Sequence, residues 1–126
     1  MKGILDTSLL IATDVPELEG ELAISAASLA ELHFGVLVTS DAAVRSERLR
    51  RLSVLQLKFD ALPVDHHVAV SYGQLAAAVA GTGRRPRSRV MDLLIAATAH
   101  AHGARLYTRN ATELAGIEHL IDIVSV

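Results

Sequence analysis

Five short apolar runs, "KGILD", "LAIS", "ALPVD", "RLYT" and "IDIVSV", are spaced along this chain with helical patterns between them. Runs this short suit strands, and their aliphatic, β-branched content suits strands covered on both faces. Strand alternating with helix predicts an α/β sandwich, three layers deep, around a small mostly parallel sheet of about five strands. In such sheets ligands bind beyond the carboxyl ends of the strands. That rule singles out Asp6, at the end of "KGILD", and Thr108–Asn110, after "RLY".

The intervening patterns read as helices with identifiable ends. "TSLLIATD" follows the first strand as a short helix. "AASLAELHFGVLVTS" presents Leu29, Leu32 and Val36 on one side. "DAAVRSERLRRLSVLQLKFD" is amphipathic, with Val44, Leu49, Leu52, Leu55 and Phe59 lining one face and the arginines mostly elsewhere. Asp65 starts a long helix that "GTG" stops, "RRPRS" reads as a loop, and "RVMDLLIAATAHAHG" is a buried helix ending at Gly103. "NATELAG" is a short terminal helix.

Length and composition bound the function classes. The chain of 126 residues is expected to form one domain, residues 1–126, with a real core. At 51% apolar it is not a disordered chain, and 3% aromatic content leaves too few rings for a base-stacking surface. There is no cysteine, so thiolate metal sites and disulfides are excluded. No run of about 18 apolar residues occurs, and Asp6 interrupts the first apolar stretch, so neither a membrane span nor a signal peptide is expected and a cytoplasmic location is. Net charge is −2, yet four arginines fall within Arg45–Arg51 and four within Arg84–Arg89. Each cluster is either a solvated face or a local phosphate-binding surface.

Asp6, Glu31, Asp92 and Glu113 each lie near a helix start and run straight into apolar sequence. Each has a local explanation. Asp6 can cap the first helix. Ser28 and Glu31 have the S-x-x-E spacing of a capping box. Asp92 can be a first-turn acid favoured by the helix dipole. Glu113 can be exposed on a short terminal helix. Gathered at one end of a parallel sheet, however, they form a cluster. Like charges about 4 Å apart repel by roughly 4 kcal/mol at an effective dielectric near 20. Such a cluster needs protons or a cation, and oxygen donors without cysteine favour Mg²⁺ or Mn²⁺. The histidines form no H-x-x-x-H pair near an acid, so no zinc site is expected. His100 and His102 suit a helix C-terminus.

The segments "ILDTSLLI", "SLAELHFG", "LPVDHHVAVSYGQL" and "DLLIAATAHAHGARLYTRNATEL" together resemble the PIN domain, and within it the VapC-type ribonuclease toxins of bacterial toxin–antitoxin pairs. They span most of the chain in the expected order. The resemblance implies a PIN-like fold and a catalytic set of Asp6, Glu31, Asp92 and Glu113, with Ser8, Thr108 and Asn110 in support. The fourth acid of the pattern is usually an aspartate followed by an aromatic residue. Here Glu113 is one methylene longer, and Leu114 follows it.

The implied activity is metal-dependent hydrolysis of RNA phosphodiester bonds. Asp6 and Asp92 are the expected metal ligands for Mg²⁺ or Mn²⁺, with Glu31 and Glu113 facing the ion's water shell or a second ion. An acidic pocket repels phosphate, so basic residues are needed at its rim. Arg84, Arg85, Arg87, Arg89 and Arg109 are the expected RNA contacts, and the helix bearing Arg45–Arg51 would help form an antitoxin groove. The implied partners are RNA, a VapB-like antitoxin and a second copy in a homodimer. The alternative is a catalytically silent PIN-like module that binds RNA or acts as a scaffold. A phosphoacceptor receiver domain would need a lysine near its end, and only Lys2 and Lys58 occur.

Overall fold

The computed structural model describes residues 1–126. Its strands are β1 (Lys2–Leu5), β2 (Glu21–Ser25), β3 (Ala61–Leu62), β4 (Arg105–Thr108) and β5 (Ile123–Ser125). Its helices are α1 (Thr7–Ile11), α2 (Ala26–Val38), α3 (Ala42–Lys58), α4 (His66–Gly81) and α5 (Val90–Ala101). The strands form one sheet in the order β3-β2-β1-β4-β5, and every pairing is parallel. The expected three-layer α/β architecture is therefore the observed one.

Strand alternation divides the core. Ile4 and Leu106 point to the face covered by α4 and α5, where they meet Val68, Leu75, Leu93 and Ile95. Leu5, Ile24 and Tyr107 point to the other face and meet Leu9 and Leu10 of α1, with Leu29, Leu55 and Phe59 packed around them. Both faces of the sheet are covered, as a parallel sheet requires.

The connections place the functional edge. The chain runs outward from β1 to β2 and β3, then returns through α4 and α5 to lay β4 on the opposite side of β1. Strand order reverses between β1 and β4, and a crevice opens at their carboxyl ends. The Asp6 amide donates to the Tyr107 carbonyl at 3.1 Å, so the acid is pinned where the two strands diverge.

Two local expectations are corrected. α2 is capped by Ser25, whose hydroxyl accepts the Ala27 amide, so Ser28 lies inside the helix and makes no capping box with Glu31. "RRPRS" is not wholly loop, because Pro86–Arg89 form a 3₁₀ turn leading into α5. Only Leu52 of α3 is fully buried, while Val44 and Leu49 are exposed. α3 also docks through arginines. Arg45 donates to the Thr39 carbonyl and Arg48 to the Gly35 carbonyl, each at 2.7 Å, and Arg51 donates to the carbonyls of Leu10 and Ala12. These carbonyls lie at or just beyond the ends of α1 and α2, where cations are favoured. Arg50 pairs with Glu47. The whole Arg45–Arg51 cluster is thus committed to intramolecular contacts.

Gly3 allows the close packing that sets β1 against β4. A Cβ there would lie 2.7 Å from Tyr107 Cε2 and 3.1 Å from Leu22 Cδ2. The tyrosine cannot easily yield, since it is buried and its hydroxyl donates to the Glu19 carbonyl at 3.0 Å. Gly3→Ala should therefore destabilise the fold by about 1–3 kcal/mol through overpacking, read as a lower midpoint in urea unfolding.

Candidate active site

The four acids predicted from the sequence come from four separate segments, and the fold brings Asp6, Asp92 and Glu113 to the crevice between β1 and β4 and Glu31 to an adjoining groove. Asp6 ends β1 and is also the N-cap of α1, its Oδ1 accepting the Leu9 amide at 3.3 Å. The capping role and the site role are therefore held by one carboxylate. The Ser8 hydroxyl donates to Oδ1, and the Thr108 hydroxyl donates to Oδ2. Each hydroxyl also accepts a backbone amide, Arg109 N–H at Ser8 and Asn110 N–H at Thr108, at 3.1 and 2.9 Å. The hydroxyl protons are thereby directed at Asp6, and both of its oxygens are held.

Asp92 stands in the first turn of α5, as its dipole reading expects, and also lines the recess. Partial burial pushes its carboxyl above the usual aspartate range, and the charges of Glu31, Asp6 and Glu113 push it further. Arg89 acts in the opposite direction. The side chain still reaches water at the mouth of the site. Glu113, in the 3₁₀ turn Ala111–Leu114, forms an ion pair with Arg89, which also donates to the Glu113 carbonyl at 2.6 Å. Glu31 projects from α2, and its Oε1 accepts the Thr7 hydroxyl at 2.7 Å.

A recess of about 10 Å³ is walled by Asp6, Asp92, Thr108, Asn110 and Glu113 over a floor that includes Ile95 and Leu106. That is room for roughly one water-sized sphere. Glu31 opens instead onto an adjoining groove of about 520 Å³ between α2 and α3, with Thr7 and Ile11 at its edge. No three Asp, Glu or His side chains converge as a ready-made metal cage. Mg²⁺ does not require one, because it keeps several waters and takes one or two carboxylates. The donors at the recess are all oxygen, and they include two acids held or destabilised as free anions, Asp6 and Asp92. That set fits a hard divalent cation.

Of the arginines expected to touch RNA, Arg89 and Arg109 are already paired. Arg109 binds Asp14 at 2.7 Å and holds that carboxyl below its usual range by hydrogen bonding and charge. Arg84, Arg85 and Arg87 are exposed and enter none of the ion pairs. Thr7 escaped notice in the sequence, where it is one more small polar residue beside an acid. Nothing local says that its hydroxyl reaches a helix 24 positions away.

Comparison with known proteins bears on this geometry. The PIN domain family model matches residues 4–115. Ribonuclease VapC8 of Mycobacterium tuberculosis (strain ATCC 25618 / H37Rv) is 36% identical over 101 residues, covering 77% of this chain and 89% of that protein. Ribonuclease VapC5 of the same strain is 34% identical over 114 residues, covering 86% and 82%. The crystal structure of VapBC-5 from M. tuberculosis, a member of the VapBC family of toxin–antitoxin systems, superposes with a TM-score of 0.82 at 31% identity, over 99% of this chain and 98% of that one. FitAcB from Neisseria gonorrhoeae shares the fold, with a TM-score of 0.78 at 24% identity over 98% and 96% of the two chains. The acid-lined crevice of a five-stranded parallel sheet and these matches define the class, and the chain belongs to the PIN domain family, among its VapC-type members.

The Asp92 environment makes a testable statement about stability. A native carboxyl with a raised pKa binds its proton more tightly than the unfolded chain, whose value is near 3.8. Between 3.8 and the raised value the native state carries more protons, so stability falls as pH rises through that window. The penalty is full at neutral pH. Asp92→Asn, measured without metal, should melt above wild type at pH 7, and the advantage should shrink as pH falls toward 3.8. Thermal melts of chelator-treated protein across pH check this.

Proposed function

We propose that this chain is a ribonuclease toxin of a toxin–antitoxin pair, hydrolysing RNA phosphodiester bonds at the Asp6–Glu31–Asp92–Glu113 site with Mg²⁺ or Mn²⁺. The observation that carries the reading is an acid-walled recess of Asp6, Asp92 and Glu113 with Glu31 on the adjoining groove, near enough that all three other acids raise the Asp92 carboxyl. A free-standing fold gains nothing from gathering like charges at a crevice. The names of the two mycobacterial relatives, both ribonucleases, support the same activity.

Asp6 and Asp92 would hold the ion. A divalent cation bound there supplies charge stabilisation at phosphorus and a more acidic water. The remaining chemistry belongs to the chain. Ser8 and Thr108 keep Asp6 from turning away, and Asn110 closes the wall. Glu31, with Oε1 held by Thr7, leaves Oε2 to orient the attacking water or accept its proton. Glu113 stays at the mouth with Arg89, so its longer side chain serves a neutralised rim. Arg84, Arg85 and Arg87 lie on the segment leading into α5 and attract the RNA backbone that the acids would repel. Such contacts bind phosphate and read no sequence.

The partner of this reading is a VapB-like antitoxin. Phe34 and Leu37 on α2 and Leu57 on α3 are 67%, 72% and 90% exposed, an unusual display of large apolar side chains on the two helices that border the groove. An antitoxin tail lying there would cover this surface, and a basic side chain from it would compete with metal for the acids. A homodimer belongs to the same proposal.

Asp6→Asn and Asp92→Asn should each abolish RNA cleavage while the fold persists, because asparagine still caps helices well but binds a cation poorly. RNA cleavage assays beside circular dichroism test this, and an active, folded Asp6→Asn protein would refute the metal role of Asp6. Mg²⁺ or Mn²⁺ should also raise the melting temperature of wild type. A ligand at about 100 times its dissociation constant adds roughly 2.7 kcal/mol, which a thermal scan resolves.

A further inference from the structure

No backbone amide holds the Glu31 carboxylate. The residue sits mid-helix, without a capping box, and carries a long side chain with many rotamers. Charge repulsion from Asp92 and Asp6 also drives it away from the recess. A fixed Glu31 therefore needs a fixed donor. We propose that Thr7, backed by Ser28, is a positioning residue for this acid: a relay of two hydroxyls that holds the Glu31 carboxylate within reach of Asp92.

The geometry is specific. Thr7 Oγ1 lies 2.7 Å from Glu31 Oε1 and 3.1 Å from Ser28 Oγ. A hydroxyl has one proton and an ionised carboxylate has none. Thr7 must then donate to Glu31, and its remaining lone pair accepts the Ser28 proton. Thr7 has one proton for two neighbours, so with it on the carboxylate at 2.7 Å the 3.1 Å contact is a hydrogen bond only when Ser28 donates. Each bond polarises the next and strengthens it. Ser28 is wholly buried, and Ser25 caps α2, so Ser28 has no capping duty to explain its hydroxyl. Ser28 and Glu31 stand three positions apart on α2, on the same side of the helix.

Thr7 is also suited by its place. It follows Asp6 directly and opens α1. The β-branch restricts its χ1, so the hydroxyl has few directions available. The residue therefore ties the acid that ends β1 to the acid on α2. Asp6 has Ser8 and Thr108, Glu113 has Arg89, and Glu31 has Thr7.

The inference rests on the ribonuclease reading, and its test separates the two. Thr7→Val keeps the shape and deletes the hydroxyl, Thr7→Ser keeps the hydroxyl, and Ser28→Ala removes only the second member. RNA cleavage with Mg²⁺ and calorimetric titration of metal-free protein with Mn²⁺ are measured on each. Thr7→Val should lower kcat by about 10- to 100-fold, as loss of an outer partner of a metal-site acid typically does, and leave KM for RNA unchanged. It should also weaken Mn²⁺ binding. Thr7→Ser should recover both quantities. Ser28→Ala should give a smaller kcat loss, and adding it to Thr7→Val should change nothing more, since the relay is already broken. Wild-type kcat and Mn²⁺ affinity in Thr7→Val overturn the relay, as does a Thr7→Ser protein as impaired as Thr7→Val. If Thr7→Val fails to fold, an unchanged kcat in Ser28→Ala overturns it. If wild type cuts no RNA, the ribonuclease reading falls, and the Mn²⁺ titrations of the same variants decide the relay.

Discussion

Four carboxylates share one end of a parallel sheet, and the repulsion among them is the constraint to which the surrounding structure answers. Asp92 shows it directly, pushed above its usual range by burial and by three like charges. The responses differ by position. Asp6 is clamped by two hydroxyls and a backbone amide. Glu31 is held by Thr7, and Glu113 is neutralised by Arg89. Asp92 alone of the four has no side-chain hydrogen-bond donor, and burial followed by the charges of its neighbours pushes its carboxyl up. Repulsion of this kind is relieved by protons or by a cation.

The topology makes that arrangement possible at little local expense. Reversal of strand order between β1 and β4 leaves a crevice that no crossover fills. The strand ends and the starts of α1 and α5 meet there, and the Leu9 amide of α1 donates to Asp6. The hydrophobic layers on either side of the sheet then hold the crevice rigid. Gly3, lacking a side chain under the Tyr107 ring, sets how closely the two central strands approach.

The two arginine clusters show how the same residue type serves different ends. Arg45, Arg48 and Arg51 recur every three positions and face the ends of α1 and α2, where they satisfy free carbonyls. They add to the apolar packing of Leu52, Leu55 and Phe59. Arg84, Arg85 and Arg87 precede α5 on an exposed segment and enter none of the ion pairs.

Much of this was legible in the residues themselves. Short apolar runs, helix patterns and the stops at Gly81–Gly83 and Gly103 marked nearly every element, because burial and backbone conformation leave local signatures. The acids stood out because each runs into apolar sequence, where a solvated acid has no reason to be. Capping was less legible. Ser28-x-x-Glu31 has the spacing of a box, yet Ser25 starts the helix three residues earlier, and equal spacing cannot say which serine turns the backbone. Partnership was not legible at all. Whether Arg48 meets RNA or the Gly35 carbonyl, whether Thr7 reaches Glu31, and whether Glu113 meets Arg89 depend on contacts between segments 13 to 24 positions apart. Such contacts exist only once the sheet has closed, since no chain-local rule brings those side chains within hydrogen-bonding distance. Sequence alone determined which residues carry charge and where strands end. Tertiary structure decided which charges are already spoken for and which remain to act.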